Sequence, residues 1–316
     1  MQSFLKFLLL IAAGTAFGQP YPSKPVHLVV AFPPGGPVDI IARLITPKMS
    51  EALGQPIVVE NKTGASGNLA AAQVAKSAAD GYTILAHSSA YAVNPSLFND
   101  PGYDAQKDFI PVAVVASQPN LILVNAEFPA RSLAELLQMA RAQKLAFASP
   151  SSGTTPHLTA ENLFRVRAKV DITHVPFRGA GPAVAALLGG QPPIGSLAGS
   201  APMPHIKSGK LRALAVSSSK RLASLPDVPT LTELGYSDME DYTWVGLFLP
   251  AGTPVGIAQK VNDAVLRSVQ GPDLRERLDA LAFDVTAAPL RETADYVKSE
   301  LVKWAKVVRD TGAKAE

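Results

Sequence analysis

The chain has no cysteine among its 316 residues, which excludes disulfide staples, thiolate catalysis, cysteine metal ligands and a lipid-anchored cysteine. Charge is scarce too, at 17% of residues, and the 29 basic and 26 acidic side chains are dispersed, with a formal net charge of +3. Nothing resembles the basic patch that grips a phosphate backbone, so nucleic acid is not an expected partner. The five histidines, His27, His87, His157, His174 and His205, are remote from one another and lack any short ligand spacing. No metal and no cofactor is expected.

Long apolar runs are missing as well. The N-terminal MQSFLKFLLLIAAGTAFG holds Lys6, an apolar stretch from Phe7 to Ala13, and small residues at Ala16 and Gly18. That is the pattern of a secretion signal, so residues 1–18 are expected to be removed, leaving Gln19 first. The stretch is too short to span a bilayer, and no later one reaches the roughly 18 to 20 apolar residues a spanning helix needs. Export without disulfides points to a bacterial envelope and a soluble periplasmic protein. The remaining chain exceeds the usual size of one core, and at 47% hydrophobic it can fill two lobes.

Apolar runs of strand length alternate with stretches of helical period, the pattern of an α/β fold with a largely parallel sheet. VHLVVAF (26–32) is a continuous apolar run bounded by turn residues, as a strand buried on both faces requires. Gly35-Gly36-Pro37 then turns the chain, and Ile40, Ile41, Leu44, Ile45 and Met49 recur at helical spacing. Pro37 suits the first helical position, whereas Pro47 predicts a kink or an early break. Strands follow at 57–61, 83–88, 110–116, 121–126, 145–149, 172–177, 194–198, 211–217 and 245–250, with a polar loop after 88. Helices are expected near 67–77, 132–143, 156–167, 181–189, 254–269, 272–281 and 290–310. RLASLPDVPTLTELGY, with Pro226 and Pro229, reads as an extended crossing back between lobes.

Three strand-to-helix turns share one character: AFPPGGPVD (31–39), ASPSSGTTPH (148–157) and PFRGAGPAV (176–184). Each places glycine, serine or threonine where a helix begins, and helix starts offer unpaired N–H groups and partial positive charge to an anion. In an open α/β sheet such turns lie at the carboxyl ends of strands, where ligands settle. Nucleotide binding fails on spacing, because Val184 stands where a third glycine is required and no GxxxxGK[ST] exists. Asp39 falls in the first turn of a helix and is read as structural. Ser217-Ser218-Ser219-Lys220 matches SxxK without its companion motifs, and there is no GxSxG. No acid–base pair assembles, so no enzyme is expected.

YPSKPVHLVVAFPPGGPVDIIAR, LGQPIVVENKTGASGN, DGYTIL, PFRGAGPAVAALLGGQ and SGKLRALAVSSSKRLASLPDVPTLTELG together resemble the Bug-type receptors of tripartite tricarboxylate transporters. The resemblance covers nearly the whole chain after the signal. It implies a type II periplasmic-binding fold, two α/β lobes joined by a two-crossing hinge, closing over a small organic acid. It also implies a monomer that hands its ligand to two integral-membrane components. On this resemblance a ligand carboxylate meets backbone amides and ordered waters from two facing turns, Phe32, Pro33, Pro34, Gly35 and Gly36 on one side and Arg178, Gly179 and Ala180 on the other. Ser88 and Ser89, with Ser151, Ser152, Gly153, Thr154 and Thr155, would add side-chain contacts. QPPIGSLAGS (191–200) departs from the family pattern, which more often has an acidic residue there. The expected lobes are 24–122 with 244–316, and 123–243. Two rivals stay open: a secreted hydrolase using a serine near Ser151 or Ser217, and a receptor for a neutral or cationic solute.

Overall fold

The computed structural model describes residues 21–315, so the expected signal at 1–18 and the new terminus at Gln19 lie outside the described residues. The first units are β1 (Val26–Val30), α1 (Pro37–Leu53), β2 (Ile57–Asn61), α2 (Asn68–Ala75), β3 (Thr83–Ser88) and α3 (Ala90–Leu97). The long β4 (Phe109–Asn125) leads to α4 (Leu133–Ala142), β5 (Leu145–Ser149), α5 (Thr155–Glu161), β6 (Ile172–Pro176) and α6 (Ala180–Leu188). Then come β7 (Ile194–Ala198), α7 (Met203–Lys207), β8 (Leu211–Val216) and, past an irregular segment, β9 (Tyr242–Pro250). The chain returns through α8 (Val255–Ser268), α9 (Pro272–Ala280), β10 (Asp284–Val285) and α10 (Leu290–Thr311).

The strands form one curled sheet in the order β2-β1-β3-β9-β4-β7-β5-β6, with β8 and β10 also pairing β4. Pairing is parallel in each wing (β2-β1-β3 and β7-β5-β6) and antiparallel where β4 and β9 run between them. β4 belongs to both halves: residues up to Pro119 pair β9 and β10, and residues from Asn120 pair β7 and β8. Proline explains the place of the handover, since Pro119 has no N–H to give a ladder.

Each wing is packed on both faces, as alternation along its strands dictates. In the first, Val26, Leu28 and Val30 meet Ile41 and Ile45 of α1 and Val261 and Val265 of α8. On the opposite face, Val29 and Leu85 join Tyr91, Trp244, Phe248 and Trp304, and Tyr91 stacks on Phe248 with ring centroids 4.0 Å apart. In the second wing, Ile122, Val124 and Phe147 lie under α4 and α5, while Leu121, Leu123 and Ala148 lie under α6 and α7. Truncating a buried ring such as Phe248 to alanine would cost about 3–5 kcal/mol.

Four expectations are corrected. α1 does not break at Pro47 but continues to Leu53. Pro47 is exposed, so the carbonyl it leaves unpaired faces water, while Ile41, Ile45 and Met49 hold the opposite face in the core. The expected strands at 110–116 and 121–126 are one strand, because Ser117, Gln118 and Asn120, which read as a break, are buried at the crossing. The polar loop expected after 88 is α3, whose Tyr91, Val93 and Leu97 are buried despite Asn94 and Pro95. The irregular 221–236 segment, expected as the crossing back, stays with the second wing, and β9 makes the return. The segment bonds β8 through Leu231 N to Val216 O (2.9 Å) and seats Leu231 in the second wing before β9 begins.

Candidate functional site

The carboxyl ends of β1, β3, β5 and β6 converge, and the turns that follow them face one another across the crossing strands. The turn after β1 (31–36) and the turn after β6 (177–179) touch: a Cβ placed on Gly179 would lie 3.0 Å from Pro33 Cγ. Gly179 has φ +115, a conformation that side chains rarely adopt, so glycine is required there for both backbone shape and close approach.

Two adjoining cavities lie along this seam. The narrow one, about 40 Å³, is lined by Phe32, Pro33, Gly36, Pro37, Val38, Ser88, Pro150, Thr154, Thr155, Pro156, Gly179, Ala180, Ala198 and Thr243. The wider one, about 390 Å³, shares Phe32, Pro33, Pro150 and Gly179 and adds Ala31, Thr63 to Gly67, Ser151, Phe177 and Arg178. Of the residues expected from sequence, Pro34, Gly35, Ser89, Ser152 and Gly153 line neither cavity, although all belong to the same turns.

The free amides follow from hydrogen-bond accounting. Ile40 N donates to Gly36 O (3.0 Å), the first helical bond of α1, and Pro37 has no N–H. The amides of Gly36, Val38 and Asp39 therefore have no acceptor within the helix. Gly35 N is occupied, donating to Asp39 Oδ2 at 3.0 Å. On the other side Gly179 N donates to Pro150 O (2.8 Å) and Ala183 N to Gly179 O (3.4 Å), so Ala180 and Gly181 carry the amides left over at α6. Two of the four glycine amides that a bare-backbone reading would count are thus already spoken for.

Asp39 braces the first turn. Its carboxylate, 4% exposed, accepts from Gly35 N, from Arg43 Nε at 3.0 Å to each oxygen, and from Asn61 Nδ2 at 2.9 Å. Asn61 Nδ2 also donates to Phe32 O (2.9 Å), so both ends of the turn are tied to one cluster. Burial raises the Asp39 pKa, but the bonds from Arg43, Gly35 and Asn61 outweigh it and hold the carboxyl below its ordinary range.

Hydroxyls join the two halves. Ser66 Oγ meets Ser151 Oγ at 2.7 Å and donates to Ser152 O. Ser89 Oγ meets Thr155 Oγ1 (2.9 Å), which meets Thr243 Oγ1 (2.7 Å), which donates to Asn120 Oδ1 (2.7 Å). Asn120 Nδ2 and Thr159 Oγ1 then both donate to Asp241 Oδ1, at 2.7 and 2.9 Å. Burial pushes the Asp241 carboxyl up to about 6, against the pull of Lys303 and these hydrogen bonds. Ser89 and Thr155 thus spend their hydroxyls on each other. Ser152 Oγ is buried with no partner, and Ser88 Oγ accepts from Ala90 N at 3.2 Å.

The loop Thr63–Gly67 was missed from sequence. Gly64, Ala65, Ser66 and Gly67 all have positive φ, a strained run of the kind found at functional sites, and a Cβ on Gly67 would overlap the His87 ring. Its paired glycines, following β2 as those of the other turns follow their strands, were the available signal. The remoteness expected of the histidines is also corrected. His157 and His174 stack with centroids 3.9 Å apart, and burial lowers them to about 3 and 4. His157 Nδ1 accepts from Gly153 N (3.2 Å) and His174 Nε2 meets Ser149 Oγ (2.8 Å), so the pair buttresses the turn between them. Among the described residues no group of three or more His, Cys, Asp or Glu could hold a metal ion. Of the serines suggested for hydrolysis, Ser151 bonds Ser66 and Ser217 Oγ donates to Asp241 O (2.5 Å), while near Ser151 it is Ser149 that meets the His174 ring.

Two α/β halves strung on antiparallel crossing strands, with opposed turns at their seam, define a solute-binding receptor of the type II periplasmic-binding fold. Residues 41–313 match the family model described as tripartite tricarboxylate transporter family receptor, and the chain belongs to that family. Protein BugT of Bordetella pertussis is 38% identical over 298 residues, 93% of this chain and 91% of that protein. Among solved structures, R. palustris Rpa4515 with adipate has a TM-score of 0.89 at 33% identity, covering 94% of this chain and 100% of that one. MatC (Rpa3494) from Rhodopseudomonas palustris with bound malate has a TM-score of 0.86 at 37% identity, covering 91% and 100%. Receptors of this family are periplasmic, and no helix among the described residues is long and apolar enough to cross a membrane.

Proposed function

We propose that this chain captures a small organic carboxylate in the narrow cavity, with the free amides of Gly36 and Val38 on one side and Ala180 and Gly181 on the other. One observation carries the reading: two turns from different halves leave unpaired N–H groups around a cavity with no acidic side chain in its lining. A carboxylate there would take charge-assisted bonds worth about 1.5–3 kcal/mol each. The acid-bound relatives, one with adipate and one with malate, support the ligand class. The lobes would be 24–122 with 244–316, and 123–243, closing about the crossings of β4 and β9. The loaded receptor, a monomer whose mature form begins at or near Gln19, would pass its ligand to two membrane components.

Calorimetry on protein recovered from a bacterial periplasm, against a panel of organic acids, sugars and amines, tests this. An acid should bind, and Gly36→Val should abolish binding while the melting temperature holds. Gly36 has φ −84, and only Pro33 O, at 3.6 Å, lies near its added Cβ, so the variant folds with its side chain in the ligand's place. Binding of a sugar or an amine in preference to every acid would overturn the reading.

A further inference from the structure

The Thr63–Gly67 loop does more than line the wider cavity. It follows β2, the edge strand of the first wing, and its Ser66 reaches across the seam to the turn after β5. Ser66 Oγ donates its one proton to Ser152 O, so at the 2.7 Å contact with Ser151 Oγ it is the acceptor and Ser151 the donor. The backbone presenting this hydroxyl is left-handed at two successive residues with side chains, Ala65 (φ +47) and Ser66 (φ +54), a conformation that persists only where the surroundings enforce it. Here they do. The fully buried Asn94 donates from Nδ2 to Ser66 O (3.0 Å) and to Asn68 Oδ1 (2.6 Å), and Gly67 lies against the buried His87 ring. The receiving turn is held as well, with Ser149 Oγ and Thr154 Oγ1 both donating to Ser151 O, at 3.2 and 2.8 Å.

Position separates this contact from the other hydroxyl bridge between the halves. Ser89 and Thr155 meet beside the crossing strands, where Ser89 N donates to Trp244 O of β9 (2.9 Å) and Thr155 bonds Thr243. A bridge at a pivot survives rotation, whereas one standing out toward the edge strand has to part. We propose that Ser66 is a clasp, a positioning residue that holds the two halves closed and so governs how fast solute enters and leaves, without setting its affinity. This rests on the proposal above that solute binds at the seam. Both sides of the clasp belong to the chain, so it stabilises the closed empty protein and the closed loaded protein alike. A contact equal in two states drops out of the equilibrium between them, but it remains in the step from each to the open form. Losing it should speed entry and release by the same factor.

The chain has no cysteine, so Lys62→Cys and Ala185→Cys, at exposed positions of the two halves, take a donor and an acceptor dye without competition. Single-molecule energy transfer on the ligand-free protein then reads the closed and open populations directly. The parent should be mostly closed, and Ser66→Ala should raise the open fraction roughly fivefold, as the loss of neutral hydrogen bonds implies. Ser66→Gly, whose backbone accepts φ +54 freely, should behave likewise, and Ser151→Ala, which removes one bond of the two, should have the smaller effect. Stopped-flow mixing with malate or adipate should show both rate constants of Ser66→Ala raised together, while calorimetry finds the dissociation constant within about twofold of the parent. A ligand-free parent that is wholly open overturns the proposal, as does an open fraction that neither Ser66 variant moves. Affinity that falls while the entry rate holds also overturns it, since Ser66 would then be a ligand contact. If neither acid binds, no support comes to the carboxylate reading, and the ligand-free populations still decide for or against the clasp.

Discussion

The two turns that meet at the seam are built on opposite plans. Behind the turn after β1 stands a cluster around the buried Asp39, in which Asp39, the exposed Arg43 and the half-buried Asn61 fasten Gly35 N at one end and Phe32 O at the other. The turn after β6 has no such cluster. Backbone bonds hold it, Phe177 N to Ser149 O (3.0 Å) and Gly179 N to Pro150 O (2.8 Å), and its one charged side chain, Arg178, is left free. One side of the candidate site is a braced template and the other a lighter strap carrying the exposed Arg178. Recognition of a common group and discrimination among ligands can therefore be divided between them.

The most severe way to break this contrast is to thicken the strap. Gly179→Val forces a branched residue into φ +115 and drives its Cβ against Pro33, so binding should be lost entirely. Gly179→Ala should keep the fold while calorimetry reads a large loss of affinity, because the turns can no longer approach. Equal affinity in the alanine variant would mean that close contact at Pro33 is dispensable.

Next is removal of the template's brace. Asp39→Ala leaves Gly35 N without its acceptor and removes the bonds from Arg43 and Asn61, and it should weaken acid binding at least tenfold and stability by about 1–3 kcal/mol. Asp39→Asn, which keeps an acceptor but loses the charge, should fall between. Were the loss confined to the melting temperature, with affinity intact, the cluster would be a stability element and the contrast with the second turn would fail.

The smallest effect concerns what the two sides share, the buried Asp241 behind Thr155 and Thr243. Its folded pKa, about 6, lies above the ordinary 3.8, so its contribution to stability is full below about 3.8 and is lost as pH rises through about 6. Asp241→Asn should therefore gain stability relative to the wild type between pH 5 and pH 8, by on the order of 1–3 kcal/mol, read from urea midpoints. The buried His87 and His157 and the half-buried His174 impose the opposite slope: being depressed, they stabilise above about 6.5 and lose this as pH falls through about 4 and 3. They are common to both proteins and cancel in the difference. A wild-type-like slope in Asp241→Asn would place the titration elsewhere.

Much of this was legible in the sequence because the relevant chemistry is local. Glycine and proline mark the turns after β1 and β6, apolar runs mark the buried parallel strands, and Asp39 was placed as structural from its position in a first helical turn. What was illegible depends on partners distant in the chain. Ser117, Gln118 and Asn120 look like a break until β9 and β7 arrive to cover them. His157 and His174 look unrelated until β6 lies beside β5. The engagement of Gly35 N and Gly179 N depends on Asp39 and Pro150 filling acceptor positions that no spacing rule specifies. The glycines of the Thr63–Gly67 loop were visible, but their closeness to His87 was not.

β4 passes from one half to the other as an unbroken ribbon of 17 residues, with register shifts near Pro111, Val114 and Ile122. A joint of this kind behaves as a leaf spring rather than a swivel. If the two halves open as proposed, they would flex a hydrogen-bonded strip, so each further degree would meet growing resistance and the travel would have a natural stop. Recoil on release would then return the protein to one reproducible gape, without a latch to set it.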